Sequence, residues 1–177
     1  MKMKLATAMG PLHIEYKIPV EVFPMTAHDV ARYFVSLVDE EAGDSISNLK
    51  VQKLLYYAQG FHLAMYEKPL FPDKIKAWMY GPVVPQVYHL YRDHGSDPIT
   101  VEKVDLEKYP EETRELLDEV YSVYGQFTAS KLRNMTHQEP PWRDTPQPEE
   151  ISQEKMKKFF KTLVIEDDVP EAAANQR

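Results

Sequence analysis

Apolar and polar positions repeat with a helical period over most of the chain. The strongest repeat follows Ser47 or Asn48, either of which can cap a helix, and continues to Met65. Its apolar positions lie three or four residues apart: Val51, Leu54, Leu55, Ala58, Phe61, His62 and Met65. This spacing predicts a long helix with one apolar face, ended by Lys68-Pro69 and Phe71-Pro72.

Five further segments have the same period. Each begins at a residue suited to a helix N-terminus: Thr26, Gly81-Pro82, Pro110, Thr128 and Ser152. Thr26 and Asp29 have the spacing of a capping box, and Gly43 is a natural stop for that first helix. Two successive prolines cannot continue a helix, so residues 139–142 are predicted to be a loop after a short helix that ends at Met135.

Three shorter segments alternate between apolar and polar residues, which predicts strands over residues 11–23, 75–79 and 99–104. Pro19 confines the first of them to a sheet edge or a break, because proline has no N–H to donate. The expected fold is mainly α: a compact single-domain bundle of five or six helices with small β elements. Residues 1–24 would be an N-terminal extension with an edge strand, 25–165 the helical domain, and 166–177 a polar, acidic tail.

Composition restricts the possible functions of the chain more than it restricts the possible folds. The 177 residues suit one domain, and a net charge of −7 argues against general binding to a phosphate backbone. The charge suits attraction of a basic partner, or it only keeps the protein in solution. The absence of cysteine excludes disulfides, thiolate nucleophiles and Cys-ligated zinc, and it suits a reducing cytoplasm. The apolar runs are too short to cross a bilayer, and the first ten residues lack the apolar block of a secretory signal.

Two histidine pairs are the candidates for chemistry, and neither makes a convincing site. His89 and His94 are five residues apart, so a helix does not place them on one face with Asp93 to hold a metal. His137 and Glu139 form an acid/base pair in principle, but no serine or threonine with an orienting partner lies nearby. Phosphate-binding loops, dinucleotide fingerprints and zinc-protease motifs are absent from the sequence. We therefore expect no enzyme, cofactor or metal site.

The chain is rich in aromatic residues, with eleven tyrosines. Tyrosine is favoured where one end of the side chain is dry and the other wet, as at protein interfaces, although it is also common at the boundary of a core. Four lysines of the last helix, Lys155, Lys157, Lys158 and Lys161, are read as a solvated face rather than a nucleic-acid surface. Composition therefore favours protein binding.

Three stretches carry a resemblance to a known family: residues 46–60, 77–88 and 132–142. In this order, and within roughly residues 25–165, they resemble the Panacea domain, also described as SocA-like or GepA-like phage-associated proteins. The resemblance implies a helical domain with small β elements, encoded beside a toxin gene in prophages and mobile elements. It further implies an antitoxin that neutralises its toxin by direct binding. The family has no generally assigned catalytic residues.

The matched stretches supply the candidate site residues. The expected partner-binding anchors are aromatic: Tyr56, Trp78, Tyr80, Tyr88 and Trp142. The expected structural residues are polar or turn-forming: Lys50, Gln52, Lys53, Gly81, Pro82, His137 and Glu139. Lys50 and Lys53 are predicted to meet carboxylates, while Gln52, Gln59 and Tyr56 would present polar contacts away from the core. Gly81 and Pro82 would fix a strand-to-helix turn, and His137 and Trp142 would pin their loop against the long helix.

Other readings stay open at the level of sequence. The runner-up is an adaptor that delivers a bound client to a protease, with the acidic tail as its handle. An enzyme using His137 and Glu139, or His89 and Asp93, is a third reading. A DNA-binding autoregulator would need a basic recognition helix that the sequence lacks.

Overall fold

The computed structural model describes residues 2–7, 10–11, 14–15 and 25–166. In chain order its strands and α-helices are β1 (Lys2–Thr7), β2 (Gly10–Pro11), β3 (Ile14–Glu15), α1 (Ala27–Ser36), α2 (Asn48–Tyr66), β4 (Lys76–Trp78), β5 (Gly81–Val83), α3 (Pro85–Tyr91), α4 (Glu111–Tyr124), α5 (Ala129–Gln138), α6 (Pro140–Arg143), α7 (Gln153–Lys161) and β6 (Val164–Glu166). Single 3₁₀ turns follow at Arg92–His94 and Leu106–Lys108. The prediction of a mainly α fold with small β elements is confirmed.

Helix α2 lies at the centre of the bundle and is buried on every side. Seventeen of its 19 residues are buried, and α1, α3, α4, α5 and α7 all pack against it. The prediction of one apolar face was therefore too narrow. Its polar residues point inward as well, because they bond to backbone groups of neighbouring segments, as described below for Gln52 and Lys53.

The predicted helix starts are confirmed where they rest on local caps. Thr26 and Asp29 form the reciprocal hydrogen bonds of a capping box. The hydroxyls of Ser47, Thr128 and Ser152 each accept a hydrogen bond from the backbone N–H three residues on. Helix α1, however, ends at Ser36, well before Gly43.

The segment after β4 differs from the sequence prediction. Gly81–Val83 is not the start of a helix but strand β5, which pairs antiparallel with β4 in the register Trp78↔Gly81 and Lys76↔Val83. Gly81 has a φ of 104°, a backbone conformation that favours glycine. Helix α3 begins only at Pro85, where the missing N–H of proline at the first helical position leaves no bond unmade.

Two further predictions were wrong. Residues 99–104 form no strand; Ile99 donates a single backbone hydrogen bond to Ile46 O at 2.8 Å. Residues 139–142 are not a loop throughout, because Pro140 and Pro141 occupy the first turn of α6. Backbone N–H groups in a first turn have no partner within the helix, so two prolines are tolerated there.

The first strand, β1, pairs with the last described strand, β6. Strand β1 lies antiparallel to β2, β3 and β6, with Leu5 opposite Val164. The strand predicted over residues 11–23 falls mostly outside the described residues, which here include only Pro11, Ile14 and Glu15. The predicted tail is described only at Glu166, the last residue of β6.

Aromatic side chains fill the core between α2, α4 and α7. The rings of Tyr57 and Tyr124 stack with centroids 3.8 Å apart, and Phe160 meets Tyr56 and Phe61 edge-on at 5.3 and 4.8 Å. Phe160 lies directly against Gly60, where an added Cβ would overlap its ring. Within the residues that the structure describes, no helix has the length and apolar character needed to cross a bilayer.

Candidate functional site

A groove of about 740 Å³ opens between the β4–β5 hairpin, α3 and the first turn of α2. Its lining is mainly apolar and aromatic at the hairpin and polar at α2: Asn48, Leu49, Gln52, Trp78, Met79, Tyr80, Val83, Tyr88, Arg92, Gly95, Ser96, Gln147 and Pro148. The structure thus brings together three of the predicted anchors, Trp78, Tyr80 and Tyr88, on one surface.

Large apolar side chains at the rim of this groove are exposed. Met79 is 68% accessible, Tyr80 57% and Tyr88 36%. The rings of Trp78 and Tyr88 meet edge-on with centroids 5.1 Å apart, which gives the groove a firm aromatic wall. Clustered exposed aromatic and methionine side chains are typical of surfaces that contact another protein.

The other predicted anchors have different positions. Trp142 is half-buried, and its Nε1 donates to Trp78 O at 2.9 Å, so it supports the hairpin from behind. The ring of His137 stacks on Trp142 at 3.8 Å with only 2° between the planes. Trp142, with His137 stacked on it, therefore ties its segment to the hairpin, whereas the sequence suggested that the two residues pin their loop against α2. Tyr56 is fully buried, and we correct its expected place on the accessible surface.

Buried polar side chains of α2 build the floor of the groove. Gln52 Oε1 accepts from Val84 N at 2.9 Å, and Gln52 Nε2 donates to Asn48 Oδ1 at 2.9 Å. Asn48 Nδ2 in turn donates to Tyr88 O at 3.0 Å. Gln59 is buried as well and bonds to Leu70 N and Phe71 O. The expectation that Gln52 and Gln59 face outward is wrong, because both side chains satisfy backbone groups inside the fold.

The two predicted structural lysines of α2 behave differently. Lys50 Nζ lies 3.6 Å from Asp44 Oδ1, so it does meet a carboxylate. Lys53 is completely buried and meets no carboxylate among the described residues; its Nζ donates to Pro82 O at 3.0 Å. Burial, with a smaller contribution from the charge of Arg133, lowers the pKa of Lys53 to about 7. Lys53 also lies under the hairpin turn, where a Cβ at Gly81 would come within 2.7 Å of its Cε.

Arg133 is a site residue that sequence reasoning missed. Its guanidinium carbon lies 5.6 Å from the centre of the Tyr80 ring, within the range of a cation–π contact. Arg133 and His137 are four residues apart on α5 and so share one face of that helix. Burial, then the charges of Arg133 and Lys53, lower the pKa of His137. The four-residue spacing from His137 is the one signal in the sequence that could have singled it out.

Glu139 faces the aromatic core, away from the groove. Tyr57 donates its hydroxyl to Glu139 Oε1 at 2.8 Å, while Oε2 is inaccessible and has no hydrogen-bond partner in the part of the chain that the structure describes. Burial raises the pKa of Glu139 to about 7, and its hydrogen bond with Tyr57 limits the rise. Since His137 stacks on Trp142 instead, the two residues have separate partners, and neither lines the groove.

The second histidine pair lies in the open. His89 is exposed on α3 with its ring near Tyr88 and Trp78, and Asp93 pairs with the neighbouring Arg92 at 3.6 Å. In the described part of the chain, no three His, Asp or Glu side chains come close enough together to hold a metal ion. His62, the histidine inside α2, is buried and bonded to Lys68 O at 2.6 Å.

A second cleft of about 630 Å³ lies between the α1–α2 and α4–α5 connections and is more polar. Serines and threonines contribute much of its lining, including Ser45, Ser47 and Thr128. Tyr121 donates a hydrogen bond to Asp44 across it. It lacks the exposed aromatic side chains of the hairpin groove, and we therefore take the hairpin groove as the candidate site.

Comparison with known proteins gives two matches. The model of a family described as antitoxin SocA-like, Panacea domain, matches residues 51–143, which is more than half of the chain. This range contains most of α2 and the whole of the hairpin, α3, α4, α5 and α6. The antitoxin SocA of Caulobacter vibrioides (strain NA1000 / CB15N) is 46% identical over 50 residues, which are 28% of this chain and 27% of that protein. No solved structure matches the chain.

Proposed function

Because the chain belongs to the SocA-like antitoxin family with the Panacea domain, we propose that it neutralises a toxin by binding it directly through the hairpin groove. The partner would be a protein encoded by a neighbouring gene, and the two would meet in the cytoplasm, where both are translated. The family supports an antitoxin role without catalysis. The curated relative is matched over about a quarter of its length, so its own partners do not transfer to this chain.

The observation that carries the proposal is the exposed aromatic rim of the groove. Met79, Tyr80 and Tyr88 expose apolar surface that folding leaves uncovered, and a partner would remove this surface from water. The wall behind them is held by hydrogen bonds from Trp142 to Trp78 O and from Asn48 to Tyr88 O. A rigid aromatic surface loses little conformational freedom on binding, which favours affinity.

The first experiment is to co-express the protein with the product of the adjacent open reading frame, followed by a growth assay and a pull-down. We expect the neighbour to arrest growth alone, and this chain to bind it and restore growth. A neighbour that is harmless, or toxic but unbound, would refute direct neutralisation.

Point variants then locate the interface. Tyr80→Ala and Tyr88→Ala should each weaken binding by about 30-fold or more, since truncation of an anchor aromatic commonly costs about 2 kcal/mol or above. Leu106→Ala is the matched control, because Leu106 is 48% exposed on a 3₁₀ turn and does not line the groove. If all three variants bind and fold as the parent does, the groove is not the interface.

A further inference from the structure

Three nitrogen-bearing side chains lie next to the hairpin turn, outside the lining of the groove. Arg133 and His137 come from one face of α5, and Lys53 comes from α2. Lys53 Nζ reaches Pro82 O, and Arg133 lies over the Tyr80 ring. A Cβ at Gly81 would come within 2.7 Å of Lys53 Cε and 2.9 Å of Thr136 Oγ1, so Lys53 and the α5 residue next to His137 meet under the same turn. We call Lys53, Arg133 and His137 the basic cluster.

The basic cluster has hydrogen-bond donors to spare. Arg133 Nε and His137 Nε2 are both buried and have no partner among the described residues. The carbonyl of Pro82 takes only one N–H bond of Lys53, which leaves at least one more whether the amine is charged or neutral. Buried donors without partners are uncommon in native proteins, and a ligand that is not yet bound is one reason for them.

Burial lowers the pKa values of Lys53 and His137, so the lasting positive charge of the basic cluster is that of Arg133, and it is not paired within the described part of the chain. None of its three residues forms an ion pair there; Lys50, by comparison, pairs with Asp44. Glu139 follows His137 by two residues, but its carboxylate is bonded to Tyr57. Burying a charge without a counter-charge is unfavourable, so an incoming anion would be stabilised.

We infer that the basic cluster receives a carboxylate of the bound protein partner, an aspartate or glutamate side chain next to the residue that enters the groove. The inference rests on the proposed function. Tyr80 links the two parts, because it lines the groove and also carries Arg133 over its ring. The planar fork of arginine matches the two oxygens of a carboxylate. A chain with a net charge of −7 is poorly suited to a nucleic-acid backbone as the source of the anion.

A small carboxylate tests the site without knowledge of the partner. In the intact, ¹⁵N/¹³C-labelled protein, the NMR signals of Arg133 Nε–Hε and His137 Hε1 are followed while 3-phenylpropionate is added. The neutral amide of the same acid, at equal ionic strength, is the matched ligand. We expect a saturable shift of both signals with the acid, and binding of the amide weaker by about tenfold, because charge-assisted hydrogen bonds are the stronger ones.

Variants separate the cluster from general electrostatics. Arg133→Gln should abolish the preference for the acid over the amide, while Lys131→Gln, which removes one exposed charge from the same helix, should keep it. Equal shifts with acid and amide, or an acid preference that survives in Arg133→Gln, would overturn the inference. Tighter binding of inorganic phosphate than of the acid would also overturn it, in favour of a phosphoryl ligand.

Failure of this inference can be told apart from failure of the proposed function. Suppose that the neighbouring gene product binds, and that Tyr80→Ala weakens this binding while Arg133→Gln does not. The groove would then be supported as the interface, and the carboxylate site would be refuted. If 3-phenylpropionate binds as expected while the neighbouring product is harmless and unbound, the carboxylate site is supported and the antitoxin proposal is refuted.

Discussion

Burial moves the pKa values of two side chains towards neutrality from opposite directions. Glu139 is shifted up and Lys53 down, each to about 7. In both cases burial disfavours the charged form, and the surrounding groups do not fully offset it. The native protein should therefore prefer a neutral Glu139 and a neutral Lys53, and its stability should depend on pH on both sides of pH 7.

For Glu139 the effect lies between pH 4.5 and about 7. Over this range the native state keeps the proton that the unfolded state has lost, so the free energy of unfolding falls as pH rises, by up to about 1.4 kcal/mol per pH unit. Glu139→Gln should remove this slope, and Glu115→Gln, an exposed change on α4, should not. Urea unfolding at half-unit steps from pH 4.5 to 7.5 measures it; identical slopes for parent and Glu139→Gln would contradict the prediction.

For Lys53 the effect lies between about pH 7 and 10.5 and has the opposite sign. The unfolded state holds a proton there that the native state has released, so the free energy of unfolding rises with pH. Lys53→Met should flatten this rise, whereas Lys131→Met on the surface of α5 should leave it intact. Urea unfolding at pH 7.5, 8.5 and 9.5 measures this dependence. If the free energy of unfolding of Lys53→Met rises with pH as that of the parent does, Lys53 is not its cause.

The candidate site shows where residue-level prediction works. Trp78, Tyr80 and Tyr88 were expected as anchors from their aromatic character in one matched segment, and the structure places all three in one groove. Tyr56 carried the same signal but is buried. The prediction failed there because no local sequence feature reveals that α2 is covered on all sides. Arg133 was missed because its significance depends on Tyr80, which is distant in the sequence.

At the scale of elements, local signals predicted most helix starts, and long-range contacts decided the rest. Caps such as Thr26 with Asp29 involve neighbours in sequence, so the pattern reveals them. Strand β5 exists because Gly81–Val83 pairs with β4, and its three residues have no strand periodicity of their own. The inward-facing Gln52 bonds to Val84 N, 32 residues away, and the sequence cannot show that partner.

The packing of α2 against α7 depends on the absence of a side chain at Gly60. A Cβ there would overlap the ring of Phe160, which is itself fully buried. Gly60→Ala should lower the free energy of unfolding by about 1–3 kcal/mol, as overpacking a core does. In a Phe160→Leu background the same change should be less harmful, because the smaller side chain leaves room. Chemical unfolding of the four proteins gives the coupling energy, and purely additive effects would exclude the overlap as the cause.

The hairpin is attached to α6 through one indole hydrogen bond. Trp142→Phe keeps an aromatic ring against His137 but removes the donor to Trp78 O. We expect a loss of about 0.5–1.5 kcal/mol in stability, the usual contribution of such a bond. Partner binding should weaken as well, since Trp78 forms the groove wall. Unfolding and pull-down assays test this; normal binding despite lower stability would mean that the wall does not need the bond.

At the scale of the whole molecule, α2 makes the fold cooperative. Five helices pack on it, so none of them can detach without exposing its buried surface. We expect one transition in urea, with coincident curves for far-UV circular dichroism and for tryptophan fluorescence, which reports the hairpin and α6 through Trp78 and Trp142. A fluorescence transition at lower urea would show that the groove melts before the bundle.

The burial of α2 also determines where such a protein can accept inherited change. Substitutions along most of this helix disturb a packed neighbour or a bonded backbone group, so natural variation is expected to spare it. Met79, at the exposed tip of the hairpin, has no comparable restriction. Descendants of one ancestor can thus diverge in what they bind by altering a few hairpin positions, while the central helix continues to mark their common ancestry.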